Sequence, residues 1–373
     1  AGSPGDTINV ATGTYAENVV VDKSLEIAGA SQSGVIVMPA FSNPDCSLGS
    51  LCGGAASNVF LIEADSVTIH DLTVDGDNPD LTSGVVRNAA DLDARNGIID
   101  NYPLGPFDNF VVYNVTVKNI YLRGLYAASG GTFDFSYNTV DNVNGESASI
   151  AMMNYGGTGV FDHNTVSRSN DGIVSNWSEG TSYTNNVVET TGTGIHTDNA
   201  QAAELIQDNS IDCTGVSDAY GIFTFVPYIA PTVDNNTITN CSVGLSAWGE
   251  GVAVTSVFTD NTVLGDGSTD SVGAYITTNI IGYGYRDVSV LFTGNEINGF
   301  ETGVYFTADV ASWETEPYEE KTINATFEDN KLINNSIDAE AGSSGTLNID
   351  ASPNWWGSPC GPSVVIGDVT YIP

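Results

Sequence analysis

The stretch His196-Thr197-Asp198-Asn199 carries the residue types best able to do chemistry. An imidazole titrates near neutral pH, and a carboxylate two residues away could move protons or hydrogen-bond a sugar hydroxyl. A lone histidine near an aspartate is more often a surface hydrogen-bonding pair, so His196 and Asp198 are catalytic candidates and no more. A second group, Asp75-Gly76-Asp77-Asn78-Pro79-Asp80, gathers carboxylates at a turn, as a calcium ion requires. It lacks the spaced Glu of a hand-type loop and reads more simply as an acidic turn. Asp75, Asp77 and Asp80 are the metal candidates; no cofactor is required, and calcium is the one left open. Arg123, one of few cations, is read as pairing with a local acid, with steadying of an anionic substrate as the alternative.

These residues need a scaffold, and internal repetition supplies it. A phrase aromatic-x-x-Asn-x-Val/Ile recurs, as in Phe135–Val140, Phe161–Val166, Tyr183–Val188, Phe258–Val263 and Phe292–Ile297. Its asparagines are Asn138, Asn164, Asn186, Asn209, Asn236, Asn261, Asn295 and Asn330. After each comes a small residue, often Gly, then an apolar residue and an alternating strand. No unit holds a useful helical period. Units this short, with no crossover helix, cannot build a βαβ sheet. They can build coils of an all-β solenoid, each strand pairing in parallel with its copy ~4.8 Å away. The asparagines then stack into a ladder, each expected at a left-handed turn position with its amide bonded to the Asn above and below.

Two residues beyond the Gly position stand Tyr126, Ala151, Val174, His196, Phe223, Ser246, Tyr275 and Tyr305. Four beyond it stand Ala128, Met153, Asn176, Asp198, Phe225, Trp248, Thr277 and Thr307. Rows of outward aromatics offer flat faces on which sugar rings stack. Tyr126, Asn176, Phe223, Phe225, Trp248, Tyr275 and Tyr305 are therefore the ligand-binding candidates; the competing reading is that loops cover them as ordinary packing.

Nine Lys+Arg face 46 Asp+Glu, a formal net charge of -37. Such a surface repels phosphate backbones and polyanions, so nucleic acid is excluded as a partner. No apolar run reaches the ~18 residues of a membrane span, so membrane insertion is not expected. Of the five cysteines, Cys46 with Cys52 and Cys213 with Cys241 suit disulfides, leaving Cys360 odd. Together with six Asn-x-Ser/Thr sites, this points to an extracellular or cell-surface protein.

The opening Gly5-Asp6-Thr7-Ile8 through Asn18, followed by Val19-Val20-Val21, resembles the first coil of the pectin-lyase-like superfamily. The ending Asn354-Trp355-Trp356-Gly357 resembles the closing coil of its NosD-like β-helix group. The resemblance implies a right-handed parallel β-helix over residues 1–373 as one domain. Residues 1–30 form the first coil, with the usual N-terminal cap missing, and 349–373 the closing coil. Loop excursions are expected at 75–111, 265–287 and 309–321, and Trp355-Trp356 is read as an apolar plug. The superfamily hosts lyases, hydrolases, esterases, epimerases and non-enzymatic binders. This chain lacks the Arg/Lys base set of the lyases, the Asn-Thr-Asp and Gly-His-Gly phrases of polygalacturonases, and the Gly-x-x-Asp-Phe phrase of pectin methylesterases. The expected function is a non-catalytic module that binds polysaccharide or takes part in surface assembly, with other surface proteins or with copies of itself. The alternative is a carbohydrate-active enzyme using carboxylates on the aromatic face.

Overall fold

The computed structural model describes residues 2–46, 48–128, 130–199, 201–249, 254–280, 284–309, 321–343 and 345–371. The third expected excursion, with Trp313 and Tyr318, lies outside them. The chain divides into two compact units, Ala1–Thr191 and Gly192–Pro373. Each is a right-handed parallel β-helix, and no α-helix occurs among the described residues.

In the N-terminal unit one run of parallel strands aligns Ile8, Ile27, Ile69, Val112, Phe135, Phe161 and Tyr183, one residue per coil. A second run aligns Val37, Val74, Val117, Val140, Val166 and Val188. A third aligns Val19, Phe60, Ile98, Leu125, Met152 and Ile173. These columns point inward, because alternate residues of a strand face opposite sides and one side is the coil's interior. The C-terminal unit repeats the pattern. Ile206, Val233, Phe258, Phe292 and Phe327 form one column, with Phe292 stacked between Phe258 and Phe327 at ring separations of 4.3 and 4.4 Å. Ile195, Ile222, Leu245, Ala274, Val304 and Ala339 form another.

Both asparagine ladders are buried. Asn138, Asn164 and Asn186 form one; Asn209, Asn236, Asn261, Asn295 and Asn330 form the other. Asn354 extends the second by a rung, a role hidden from sequence inside the Asn-Trp-Trp-Gly phrase. The expected backbone geometry is corrected by one residue. Left-handed φ belongs to the residue before each ladder Asn (Tyr137, His163, Asn185, Asp208, Asn235, Asp260, Gly294 and Asp329), not to the Asn itself. The turn needs the left-handed residue; the ladder needs a side chain that can both donate and accept.

The small residue after each Asn also has a cause. A Cβ on Gly244 would lie 2.2 Å from Val263 Cγ1 and 2.6 Å from the carbonyl oxygen of Gly273 on the next coil. Coils pack too closely at Gly244 for a Cβ, although Ala151 and Asp338 hold the equivalent place on other coils.

Both expected disulfides form, Cys46–Cys52 and Cys213–Cys241, the latter joining adjacent coils; Cys360 is free and exposed. The second excursion is interrupted by the coil strand Val272–Thr277, in register between Val243–Trp248 and Thr302–Ala308. The first is interrupted too. Val86–Arg87 and Ala90–Asp91 make a small antiparallel pair, but Ala94–Asp100 is a regular coil strand between Asn58–Ile62 and Thr116–Ala127. Of the apolar plug, Trp356 is buried against Tyr371, whereas Trp355 is 48% exposed.

Candidate functional site

Five strands of the C-terminal unit build the site: Thr193–Asn199, Tyr220–Phe225, Val243–Trp248, Val272–Thr277 and Thr302–Ala308. Their parallel register puts His196, Phe223, Ser246, Tyr275 and Tyr305 in one column. Phe225, Trp248, Thr277 and Thr307 form the neighbouring column. Because Ile195, Ile222, Leu245, Ala274 and Val304 face the interior, the residue after each faces out.

The rings form one continuous surface. Phe223 lies 4.7 Å from His196, 5.5 Å from Phe225 and 5.0 Å from Trp248. Trp248 meets Tyr275 edge-on at 5.8 Å, and Tyr275 stacks on Tyr305 at 5.6 Å. Tyr220, Tyr228, Val226 and Ile280 pack at the margin. There Arg286 lies over the Tyr228 ring at 5.1 Å and donates to its hydroxyl at 3.1 Å. Tyr275 hydrogen-bonds Thr307, which donates to Thr277 at 2.8 Å. Three buried polar atoms on this face have no hydrogen-bond partner: His196 Nε2, Ser246 Oγ and Trp248 Nε1.

The structure thus brings together His196, Phe223, Phe225, Trp248, Tyr275 and Tyr305, with Asp198 two residues along the first strand. Trp248 is only 7% exposed, so it forms the floor of the face, while His196, Phe223, Phe225, Tyr275 and Tyr305 are half-buried. Tyr126 and Asn176 lie in the N-terminal unit. Tyr126 is also 7% exposed, packed with Leu51, Ile99, Ile150, Met153 and Val174, so a loop covers it as the packing reading holds. Asn176 is half-buried, in register with Tyr155 and next to an exposed Trp177.

Burial lowers the pKa of His196 to about 4, so the ring is neutral across the physiological range. Its unfolded value lies near 6.5. Folding therefore excludes a proton that the unfolded chain binds between those limits. Stability from this site is intact above pH 6.5 and is lost as pH falls towards 4, by roughly 3 kcal/mol. His196→Phe is expected to remove that segment of the pH dependence, read as the difference between wild-type and variant urea midpoints at pH 7 and pH 4.5.

The carboxylates on these columns are far apart. Glu340 continues the first column beyond Tyr305. Asp198 and Glu340 stand on strands five coil steps apart, about 24 Å at the usual strand spacing. Paired glycosidase carboxylates stand roughly 5–9.5 Å apart.

The calcium candidates do not converge. Asp75 is ion-paired with Lys118 Nζ at 2.9 Å and accepts a hydrogen bond from Asn119 at 2.8 Å. Burial, then the charge of Asp75, pushes Asp77 up, and Asp80 is exposed. Among the described residues no three His, Cys, Asp or Glu side chains are placed to hold a metal ion. The sequence assigned nothing to His70, which the fold sets between Glu26 and Asp71, at 3.2 and 2.7 Å, stacked on Tyr113. Only the register of adjacent coils makes that cluster, so no local pattern could announce it.

A family model for the right-handed β-helix region matches residues 104–264. No curated protein matches the chain. Among solved structures, the A-module of mannuronan C-5 epimerase AlgE6 from Azotobacter vinelandii is similar, at 13% identity over 98% of this chain and 91% of that one, with a TM-score of 0.51. The AlgE4 A-module of the same organism is 14% identical over 93% and 90%, with a TM-score of 0.50. The PL6 family alginate lyase AlyGC is 14% identical over 94% of this chain but 44% of its own length, with a TM-score of 0.51. At these identities the likeness concerns the fold.

Proposed function

We propose that this right-handed parallel β-helix of the pectin-lyase-like type is an extracellular module that binds a neutral glycan, without catalysis, on the aromatic face of its C-terminal unit. The observation that carries the reading is the unbroken run of rings from His196 to Tyr305 on the outer side of five adjacent strands. Sugar rings present apolar faces to such a surface. The separation of Asp198 from Glu340 and the neutral, buried imidazole of His196 both speak against an acid–base pair here. The disulfides suit an oxidising compartment. Among the described residues no helix is long and apolar enough to cross a membrane.

A glycan-array screen with mass-spectrometric product analysis tests the proposal. Binding without turnover is expected. Tyr275→Ala should weaken the hit about tenfold, since stacked rings contribute up to ~1.5 kcal/mol beyond their buried area. Tyr137→Ala, an exposed ring of the other unit, should leave it unchanged. Product formation that disappears in Asp198→Asn would overturn the reading in favour of an enzyme.

A further inference from the structure

In a chain with 46 carboxylates and nine cations, an ion pair is the default fate of a basic side chain. Lys118, Arg168 and Lys331 follow it. Arg123 does not: it makes no ion pair among the described residues, which corrects its expected pairing with a local acid. It stands on the strand Thr116–Ala127, in register with Asn96 and so beside Arg95 on the adjacent coil. One guanidinium nitrogen, Nη1, donates to the carbonyls of Leu122 and Ala148. Nε is buried with no hydrogen-bond partner among the described residues, while part of the side chain reaches solvent. The group lies over the Tyr126 ring, 5.6 Å from its centroid. Arg95 gives its own donors to loop carbonyls and likewise has no counter-charge in contact. Two guanidiniums on adjacent coils thus stand without an ion-paired carboxylate, in a molecule dominated by them. A partly buried charge of this kind costs several kcal/mol unless an anion offsets it.

We propose that Arg123 anchors an oxyanion subsite in the N-terminal unit, taking a carboxylate or sulfate group, free or carried on a sugar. The fork of a guanidinium suits planar or tetrahedral oxyanions, and the part of the Arg123 side chain that reaches solvent offers it to one. Burial lowers the pKa of the Arg123 guanidinium, and the charge of Arg95 adds to it, as in a site short of negative charge; the acids that act on it, Asp171 and Glu146, do so without an ion pair. The subsite is independent of the aromatic face, because all its residues lie in the other unit.

Titration calorimetry at constant ionic strength, with sodium sulfate, sodium glucuronate and glucose 6-sulfate as probes and chloride as the balancing anion, tests it. At least one probe should bind the wild-type protein. Arg123→Gln should weaken that binding tenfold or more, for the loss of one charge-assisted hydrogen bond. Arg123→Lys should fall between, and Arg168→Gln should match wild type. Sulfate binding alone would identify a free-ion site; binding of the sugar probes would identify a sugar-borne group. A second measurement uses the wild-type chain only: the bound probe should slow phenylglyoxal modification of Arg123, read by peptide mass spectrometry, with Arg168 as internal reference. Absence of binding by all three probes, or equal affinity in wild type and Arg123→Gln, would overturn the proposal, as would equal modification rates with and without probe.

Discussion

Replacing Asn261 by Ala is expected to destabilise the C-terminal unit by roughly 4 kcal/mol, far more than a polar-to-Ala change usually costs. Asn261 is 1% exposed. Its Oδ1 accepts from the backbone N–H of Asn236 at 3.0 Å and from Asn236 Nδ2 at 2.9 Å. Its Nδ2 donates to the carbonyl of Val233 and to Asn295 Oδ1, both at 2.9 Å. Truncation removes one side chain but strands groups on the two neighbouring coils, among them the Asn236 N–H and the Val233 carbonyl. Each buried orphan costs about 1–3 kcal/mol, whereas the net gain from making one such bond is only ~1 kcal/mol. The orphan term therefore dominates. Asn240 is the contrasting case: it is exposed, and its amide donates to Asp212 and Thr214 at the surface. Asn240 sits at φ 57°, so Asn240→Ala should cost about 1 kcal/mol, mostly for the left-handed alanine. Urea denaturation followed by circular dichroism distinguishes the two, and equal midpoint shifts would show that the ladder does not hold the coils together.

The same contrast explains what the sequence could disclose. The ladder was legible because it repeats: eight asparagines at one point of the coil have no cause other than stacking. The inward columns were legible because a strand in a solenoid alternates faces, and the aromatic face followed from them by counting two residues past the glycine. What was illegible depends on distances between segments remote in sequence. The burial of Tyr126 is made by Leu51, from a loop more than seventy residues earlier, and no periodicity in the Tyr126 strand carries that information. Nor could counting show that Arg123, surrounded in sequence by a strongly acidic chain, would find only carbonyls. The spacing between Asp198 and Glu340 required both the number of coils between them and their register. That separation, more than any absent motif, weakens the enzyme reading.

Arg95→Ala is the other substitution expected to have a large effect, and the opposing terms can be weighed. Arg95 is 2% exposed. Its Nε donates to the carbonyls of Gly49 and Ser50 at 3.2 Å, its Nη2 to Gly49 at 2.9 Å, and its Nη1 to Pro44. It also lies over the Tyr121 ring at 5.6 Å. Burial lowers the guanidinium pKa, so the wild-type protein already bears a desolvation cost that Ala would relieve. Against that, Ala strips the Pro44 carbonyl of its donor, while Gly49 keeps the Cys52 N–H and Ser50 keeps Asn96 Nδ2, and it opens a cavity the size of a long side chain. If the loop stayed in place, the orphaned carbonyl and the cavity would outweigh the relieved charge by about 3 kcal/mol. The loop has an escape, because it is a surface segment and its carbonyls regain water by opening. The Cys46–Cys52 bond closes only a six-residue stretch and leaves the remainder free to lift. The expected result is therefore local: amide exchange across residues 48–56 should rise roughly 10²–10³-fold, with a smaller fall in global midpoint. Arg95→Lys keeps the charge with three donors instead of five and should recover part of the protection. Unchanged exchange in Arg95→Ala would mean that the loop is held by its apolar contacts, with Leu51 against Tyr126 and Met153, and that the guanidinium is a passenger.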